Sequence, residues 1–265
     1  MPKNLHELRR FLDKITKSGS DYSFAKVVDQ VYLCAEGKSP VFSEFLDPAR
    51  RQYIANVLLP LEKYGIMMAE GGGYEYAERK ILGFSFDPLS AEDFPIAKIK
   101  LEYDDKYGAL AHSDILGAVL GLGLDRSVIG DIVLLPQGAV VLADGHIGEF
   151  IASNLFKVGR VGVAAAILSP DAEFFALDNR VPDRLICASM RLDGVLAAAF
   201  GLSRNETANM VKSGKAYLNW HEEGSVAKLV KPGDMLTLRR FGRVQIVDVA
   251  GKSKKDRFLI DIVRF

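Results

Sequence analysis

The 265-residue chain predicts an α+β protein laid out in three successive segments, and three observations carry that prediction. Up to about residue 76, apolar side chains recur at three- and four-residue spacing, the period of amphipathic helices. From Arg79 the period changes, and between Ile96 and Leu168 strand-like and helix-like stretches follow one another in the order βαββαβ. Beyond residue 181, two short helices precede a run of strands in a markedly basic stretch. The expected divisions are 1–76, mainly helical, then 77–180 and 181–265. At about 150 residues per domain, this length suits two or three compact parts.

In the first segment, Leu5, Leu8, Phe11, Leu12 and Ile15 give one helix its apolar face, and Phe24, Val27, Val28, Val31 and Tyr32 a second. Ser18-Gly19-Ser20-Asp21 between them predicts a helix stop followed by an N-cap. Asp47-Pro48 opens a third helix that runs through Leu61. Gly71-Gly72-Gly73 predicts a hairpin turn or a link between Met67 and Tyr76. It lacks the Lys-Ser/Thr that follows the glycines of a phosphate loop.

The middle segment predicts strands at 96–103, 132–135, 139–143 and 161–167, with helices at 113–121 and 147–156. This order is the split βαβ, or ferredoxin-like, arrangement, which hosts many functions. RNA recognition modules of this topology stack bases on sheet aromatics. The stretches 132–135 and 161–165, taken as the central strands, carry no aromatic residue, so no such platform is expected. Gly117, Gly121 and Gly123 lie within and at the end of an apolar helix, where close helix–sheet packing and a C-cap account for them better than a dinucleotide loop. His112-Ser113-Asp114 is better read as a helix cap than as a catalytic pair.

Net charge is zero, from 34 basic and 34 acidic side chains, but the balance is uneven. Residues 184–265 hold 15 Lys and Arg against 8 Asp and Glu, leaving 19 against 26 in residues 1–183. Such asymmetry points to contact with a polyanion. Within the basic segment, 190–200 predicts a helix and Gly201-Leu202 a turn. Ser203-Arg204-Asn205-Glu206 forms a capping box that starts a second helix, ending near Lys212-Ser213-Gly214-Lys215. Strands follow at 216–220, 235–240, 243–249 and 257–264, with a tight turn at Lys231-Pro232-Gly233-Asp234. Arg191, Arg204, Lys212 and Lys215 come from the helices, and Arg239, Arg240 and Arg243 from the sheet. On a common face they would make a phosphate-binding surface.

Arg191-Leu192-Asp193, Ala197-Ala198, Ser203-Arg204, Ala208, Gly214-Lys215, Asn219 and Lys231-Pro232-Gly233-Asp234 resemble, in order, the RNA-binding domain named after ribosomal small-subunit protein four, the S-four domain. The resemblance implies that Arg191, Ser203, Arg204, Lys212, Lys215 and Asn219 contact RNA, and that Asp193, Gly214 and Gly233-Asp234 are structural. Trp220 stands where a small residue is usual. Over nearly its full length the chain also resembles the YlmH family, through His112-Ser113-Asp114-Ile115-Leu116-Gly117-Ala118, Gly121-Leu122-Gly123, Arg126 and Ile129-Gly130-Asp131-Ile132. That resemblance implies an RNA-binding middle domain, with His112, Asp114 and Arg126 as candidate contacts and Ser at the often basic position 113. It further implies ribosome-associated quality control. The expected partners are rRNA of the large ribosomal subunit, peptidyl-tRNA and the factor that tails stalled chains with alanine.

Enzymatic readings fare worse. Arg191-Leu192-Asp193 superficially fits a pseudouridine synthase, but only 72 residues follow Asp193. There is no nucleophile elbow and no glycine-rich strand-to-helix loop for a methyltransferase cofactor. Cys34 and Cys187 lack metal-ligand spacing, so no catalytic residue, metal or cofactor is expected. Without a 20-residue apolar run or a signal-peptide pattern, the chain is expected to be cytoplasmic and monomeric. The alternative is a cell-division scaffold whose basic segment binds protein or anionic lipid.

Overall fold

The computed structural model describes residues 5–18, 22–37, 39–104, 106, 110–174 and 181–265. They divide into two units, 1–177 and 178–265.

In the first unit, α1 (Leu5–Ser18) and α2 (Tyr22–Gly37) bury the apolar stripes read from the sequence: Leu8, Leu12, Phe24, Val27, Val28 and Val31 join one core. The stop-and-cap expected at 18–21 lies outside the described residues beyond Ser18. After β1 (Val41–Phe42), α3 (Pro48–Leu58) starts where Asp47 accepts the Arg50 N–H at 3.0 Å, with Pro48 in the first turn. A 3-10 turn, Leu59–Tyr64, then leads into β2 (Met67–Gly71) and β3 (Ile81–Ser85).

These strands add a small sheet to a first segment that is otherwise mainly helical, as expected. They form an antiparallel sheet in the order β1-β3-β2, and the boundary expected at 76/77 falls in the connection between β2 and β3. The strands are too short for their alternation to stand out. Leu82 and Phe84 close the helical core, while Ile81 packs on the other side with Phe45 and Phe94.

The elements that follow are β4 (Ile96–Tyr103), α4 (His112–Leu120), β5 (Ile129–Leu134), β6 (Ala139–Asp144), α5 (Gly148–Asn154), β7 (Lys157–Val158) and β8 (Val161–Ile167). Their sheet runs β5-β6-β4-β8-β7, antiparallel throughout. Strand β4 is therefore central, with β6 and β8 beside it. Of the two stretches expected to be central, 161–165 lies next to β4 and 132–135 lies at the edge, because the two strands joined through each helix leave one slot between them in the sheet. Ile99 and Leu101 point into the core under α4 and α5, and Lys98, Lys100 and Glu102 alternate onto the opposite face. Gly138 turns the β5–β6 hairpin at φ +93°, where an added Cβ would sit 2.2 Å from the Leu101 carbonyl oxygen. Gly117, expected to permit close helix–sheet packing, does not do so: a Cβ there would meet nothing within 4 Å.

The second unit comprises β9 (Val181–Cys187), α6 (Leu192–Phe200), α7 (Arg204–Lys212), β10 (Ala216–Leu218), β11 (His221–Glu222), β12 (Met235–Leu238), β13 (Gly242–Lys252) and β14 (Phe258–Arg264). Its antiparallel sheet has the order β11-β10-β12-β13-β14-β9. Strand β9 was not expected, since Pro182, Asp183 and Arg184 mask its alternation. As an edge strand it tolerates the proline. The expected strand over 216–220 stops at Leu218, because Asn219 (φ +49°) and Trp220 (φ +66°) turn the chain back into β11. Leu192, Val195, Leu196 and Ala199 of α6 and Val211 of α7 pack on Leu236, Leu238, Val244 and Ile260 of the sheet.

Candidate nucleic-acid interface

The second unit's helical side is organised by an acid. Asp193, in the first turn of α6, is only 5% exposed. It accepts from Arg191 Nε at 3.1 Å and Nη2 at 3.3 Å, from Arg204 Nη2 at 3.4 and 3.2 Å, and from the Gly194 N–H at 2.9 Å. Burial acts to raise its pKa. The Arg191 hydrogen bond and the Arg204 and Arg191 charges outweigh burial, so the carboxyl sits below its ordinary range. Two guanidinium groups are thus held side by side, each keeping part of its surface in solvent.

Ser203 caps α7 by accepting the Glu206 N–H at 3.2 Å, and its hydroxyl is engaged there. Of the expected capping box, that half forms, without a return bond from Glu206 among the described residues. Lys212 is exposed in the last turn of α7, and Lys215 lies just past Gly214. Asn219 faces inward: its amide donates to Asp234 at 2.9 Å and its oxygen accepts the Met235 N–H at 2.8 Å. Its geometry welds the 219–220 turn to the 231–234 turn.

The sheet cations lie elsewhere. Tyr217, Thr237 and Arg243 are cross-strand partners, so they project from the sheet face opposite the one that α6 and α7 cover. Arg243 lies over the Phe265 ring at 5.4 Å, and Arg239 over the Tyr217 ring at 5.5 Å. Arg239 N–H bonds to the Lys215 carbonyl at 2.9 Å, and Arg240 occupies the β12–β13 turn at φ +74°. The expected single cationic face is therefore divided: Arg191, Arg204 and Lys212 on the helical side, Arg243 on the sheet side, and Lys215, Arg239 and Arg240 at the sheet's end. Tyr217 and Phe265 were missed. The only sequence signal for Tyr217 was its alternation with Ala216 and Leu218.

In the first unit, Asp114 accepts the Ala111 N–H at 3.0 Å, fastening the start of α4, and His112 is exposed in the same turn. Arg126 stands apart from both, beyond the far end of α4. Its guanidinium donates to the Gly130 carbonyl at 3.0 Å and to that of Ile129. Burial first, and the neighbouring Arg79 second, bring its pKa down to about 10. Arg79, missed in the sequence, donates to Phe45 O at 2.7 Å, Ile129 O at 3.0 Å and Arg126 O at 3.3 Å. Asp131 accepts from the Glu78 and Arg79 amides and from the Tyr74 hydroxyl. Arg126 is thus half of a half-buried arginine pair that binds backbone.

Residues 89–169 match the family model described as "Putative RNA-binding domain in YlmH". Over 225 residues the chain is 32% identical to the ribosome-associated protein quality control protein P2 of Bacillus subtilis (strain 168), covering 84% of this chain and 86% of that protein. The chain belongs to the YlmH family. A solved structure titled cell division protein ylmH from Streptococcus pneumoniae is 22% identical, covering 62% of this chain and 92% of that one at a TM-score of 0.45. Membership gives the matched stretch, β4 to β8, its context. No helix among the described residues is long and apolar enough to cross a membrane, and no group of three or more His, Cys, Asp and Glu among them is placed to hold a metal ion.

Proposed function

We propose that this protein is a non-enzymatic RNA-binding factor that joins the large ribosomal subunit, through rRNA and peptidyl-tRNA, in rescue of stalled nascent chains. In this reading 181–265 is an S-four domain and the βαββαβ part a ferredoxin-like RNA-binding domain, preceded by the helical part, with a cytoplasmic site of action. The observation that carries the reading is the Arg191–Asp193–Arg204 cluster: a buried carboxylate presents two partly exposed guanidinium groups at the first turns of adjacent helices. Paired, pre-oriented guanidinium groups suit phosphate oxygens. The similarity to a protein named for ribosome-associated quality control supports the ribosomal setting; the factor that tails stalled chains with alanine is the further partner in this proposal.

Lys212 extends this surface as a phosphate contact, Lys215, Arg239 and Arg240 supply further ones at the sheet's end, and Arg243 one on the open sheet face. Ser203 and Asn219 serve by holding the α7 start and the neighbouring turn in place. His112 and Asp114 offer an exposed helix start in the middle part, and Arg126 acts on its framework.

The test is association of the intact protein with purified large subunits across a salt series. Each phosphate contact contributes about one unit to the slope of log affinity against log salt. The Lys212→Gln/Lys215→Gln double variant, outside the Asp193 network, should flatten that slope by about two units. Arg191→Gln/Arg204→Gln should also weaken association. An unchanged slope in both folded variants would remove this surface as the anchor.

A further inference from the structure

The face of the middle sheet turned away from α4 and α5 is not bare. Tyr74, from the β2–β3 connection, and Phe174, beyond β8, are brought over it with ring centroids 5.6 Å apart. They pack with Val133, Val140 and Leu142, side chains of β5 and β6 that point away from the main core. Lys98 on β4 fastens the later segment: its ammonium donates to the Ala172 carbonyl at 2.9 Å and stands 5.8 Å from the Phe174 ring centroid.

Beside this cluster lies a cavity of about 430 Å³, walled by Leu135, Val140, Leu168 and Phe174, with Lys100, Gln137 and the exposed Glu173 as its polar and charged groups. That volume lies in the range of small-ligand pockets, roughly 300–1,000 Å³. Lys100 is central: it pairs across the sheet with Val140 and with Ala166, and its ammonium reaches Glu102 at 2.5 Å. On β8, Gly162, Ala164 and Ala166 are exposed on the same face and leave the approach to the cavity low.

We propose that this cavity receives one unpaired nucleobase of a bound RNA, seated against the Phe174 ring and the Leu135–Leu168 wall, with Gln137 at its polar edge and Lys100 exchanging Glu102 for a backbone phosphate. An apolar slot with an aromatic wall, one amide and a neighbouring ammonium carries the three features that single-stranded RNA recognition uses: stacking, edge hydrogen bonding and charge. The inference rests on the RNA-binding reading and deepens it, since it names the place and the state of the nucleotide. It also gives the outer face of this sheet an aromatic contribution that the strands themselves do not supply there, Tyr103 of β4 being on the core face, and flanking segments deliver it.

The experiment is photocrosslinking of the intact protein to a single-stranded 12-mer RNA carrying 4-thiouridine, with the crosslinked peptides identified by mass spectrometry and affinity measured in parallel. Crosslinks within 135–140 or 168–174 are expected. Phe174→Ala should abolish them and weaken the oligonucleotide by roughly five- to a hundredfold, the loss of one base–aromatic stack. Since Phe174 also packs on Tyr74, Lys100→Gln is the second variant, exposed enough to leave the fold intact, and it should reduce the same crosslinks. Crosslinks confined to 181–265, with both variants at wild-type affinity, would overturn the pocket and leave the RNA reading standing. Failure of the protein to bind either this oligonucleotide or large subunits would overturn both.

Discussion

Arg204, at the start of α7, donates from one nitrogen to both carboxylate oxygens of Asp193, in the first turn of α6, at 3.4 and 3.2 Å. The bond ties two helices that the chain joins by a short turn through Gly201, which takes φ +67°. Asp193 is nearly buried, whereas Arg204 is about half exposed. The carboxylate is thus the fixed member and the guanidinium the presented one.

Asp193→Asn should cost stability, since it removes the charge that holds both arginines. Partial exposure of those arginines keeps the expected loss to about 1–3 kcal/mol, below that for a fully buried pair. The folded-state pKa of Asp193 is depressed. Its contribution is therefore fully present above the unfolded value, about 3.9, and is lost as pH falls through the lower folded value. Urea unfolding followed between pH 6 and 2.5 should show the wild type losing this increment and the Asn variant lacking it.

Tyr32 makes the opposite prediction at alkaline pH. Its hydroxyl donates to Asp13 at 2.7 Å, and burial first, then that hydrogen bond and the Asp13 charge, push its pKa up to about 12. A raised folded value means stabilisation that is complete below the unfolded value, about 10, and is lost as pH climbs towards 12. Phenolate absorbance should titrate late for this residue, and Tyr32→Phe should flatten the alkaline fall in stability.

Gly117→Ala should stabilise the first unit. The position is in the interior of α4, is exposed, and an added Cβ meets no atom within 4 Å. Relieving the helix of a glycine is worth about 0.5–1 kcal/mol. A rise in the denaturant midpoint without a change in slope would bear this out. A fall would mean that the helix needs the bare backbone there.

Arg79→Lys should fail as a conservative change. The planar fork reaches three carbonyls on 45, 126 and 129, which a single ammonium cannot do. The expected loss is about 1–3 kcal/mol, from buried acceptors left without donors. Hydrogen exchange gives the local readout, because the Phe45 amide bonds to the Ser127 carbonyl at 2.9 Å and should lose protection first.

Much of the element order was legible. The stripes of α1 and α2, the alternation of 96–103 and the Ser203 cap are local signals, each confined to a few consecutive residues, and the structure has them in place. Strands β1, β2, β3, β7, β9 and β11 were not legible. Three have only two residues, β2 and β3 have five each, and β9 hides behind a proline and two charges that an edge position permits. Among the candidate site residues, residue type identified the cations but not their partners or sides. Arg126 reads as a solvent-facing cation in sequence, and in the fold it is half-buried and bound to the carbonyls of the buried residues 129 and 130. Asn219 reads as a polar contact, and Asp234 and Met235 satisfy it.

By itself the sequence determined the α+β class, much of the run of helices and strands, the basic bias of the last third and the family membership that residues 112–132 announce. Those properties are set by neighbours in the chain, through periodicity, capping and charge density. Only the tertiary structure decided that Asp193 gathers Arg191 and Arg204, that Arg243 stands across the sheet from them, and that Tyr74 and Phe174, 100 positions apart, meet on one sheet face. Such meetings follow from strand order and from which face each register exposes, and a sequence carries that information only through the packing of residues far apart along it.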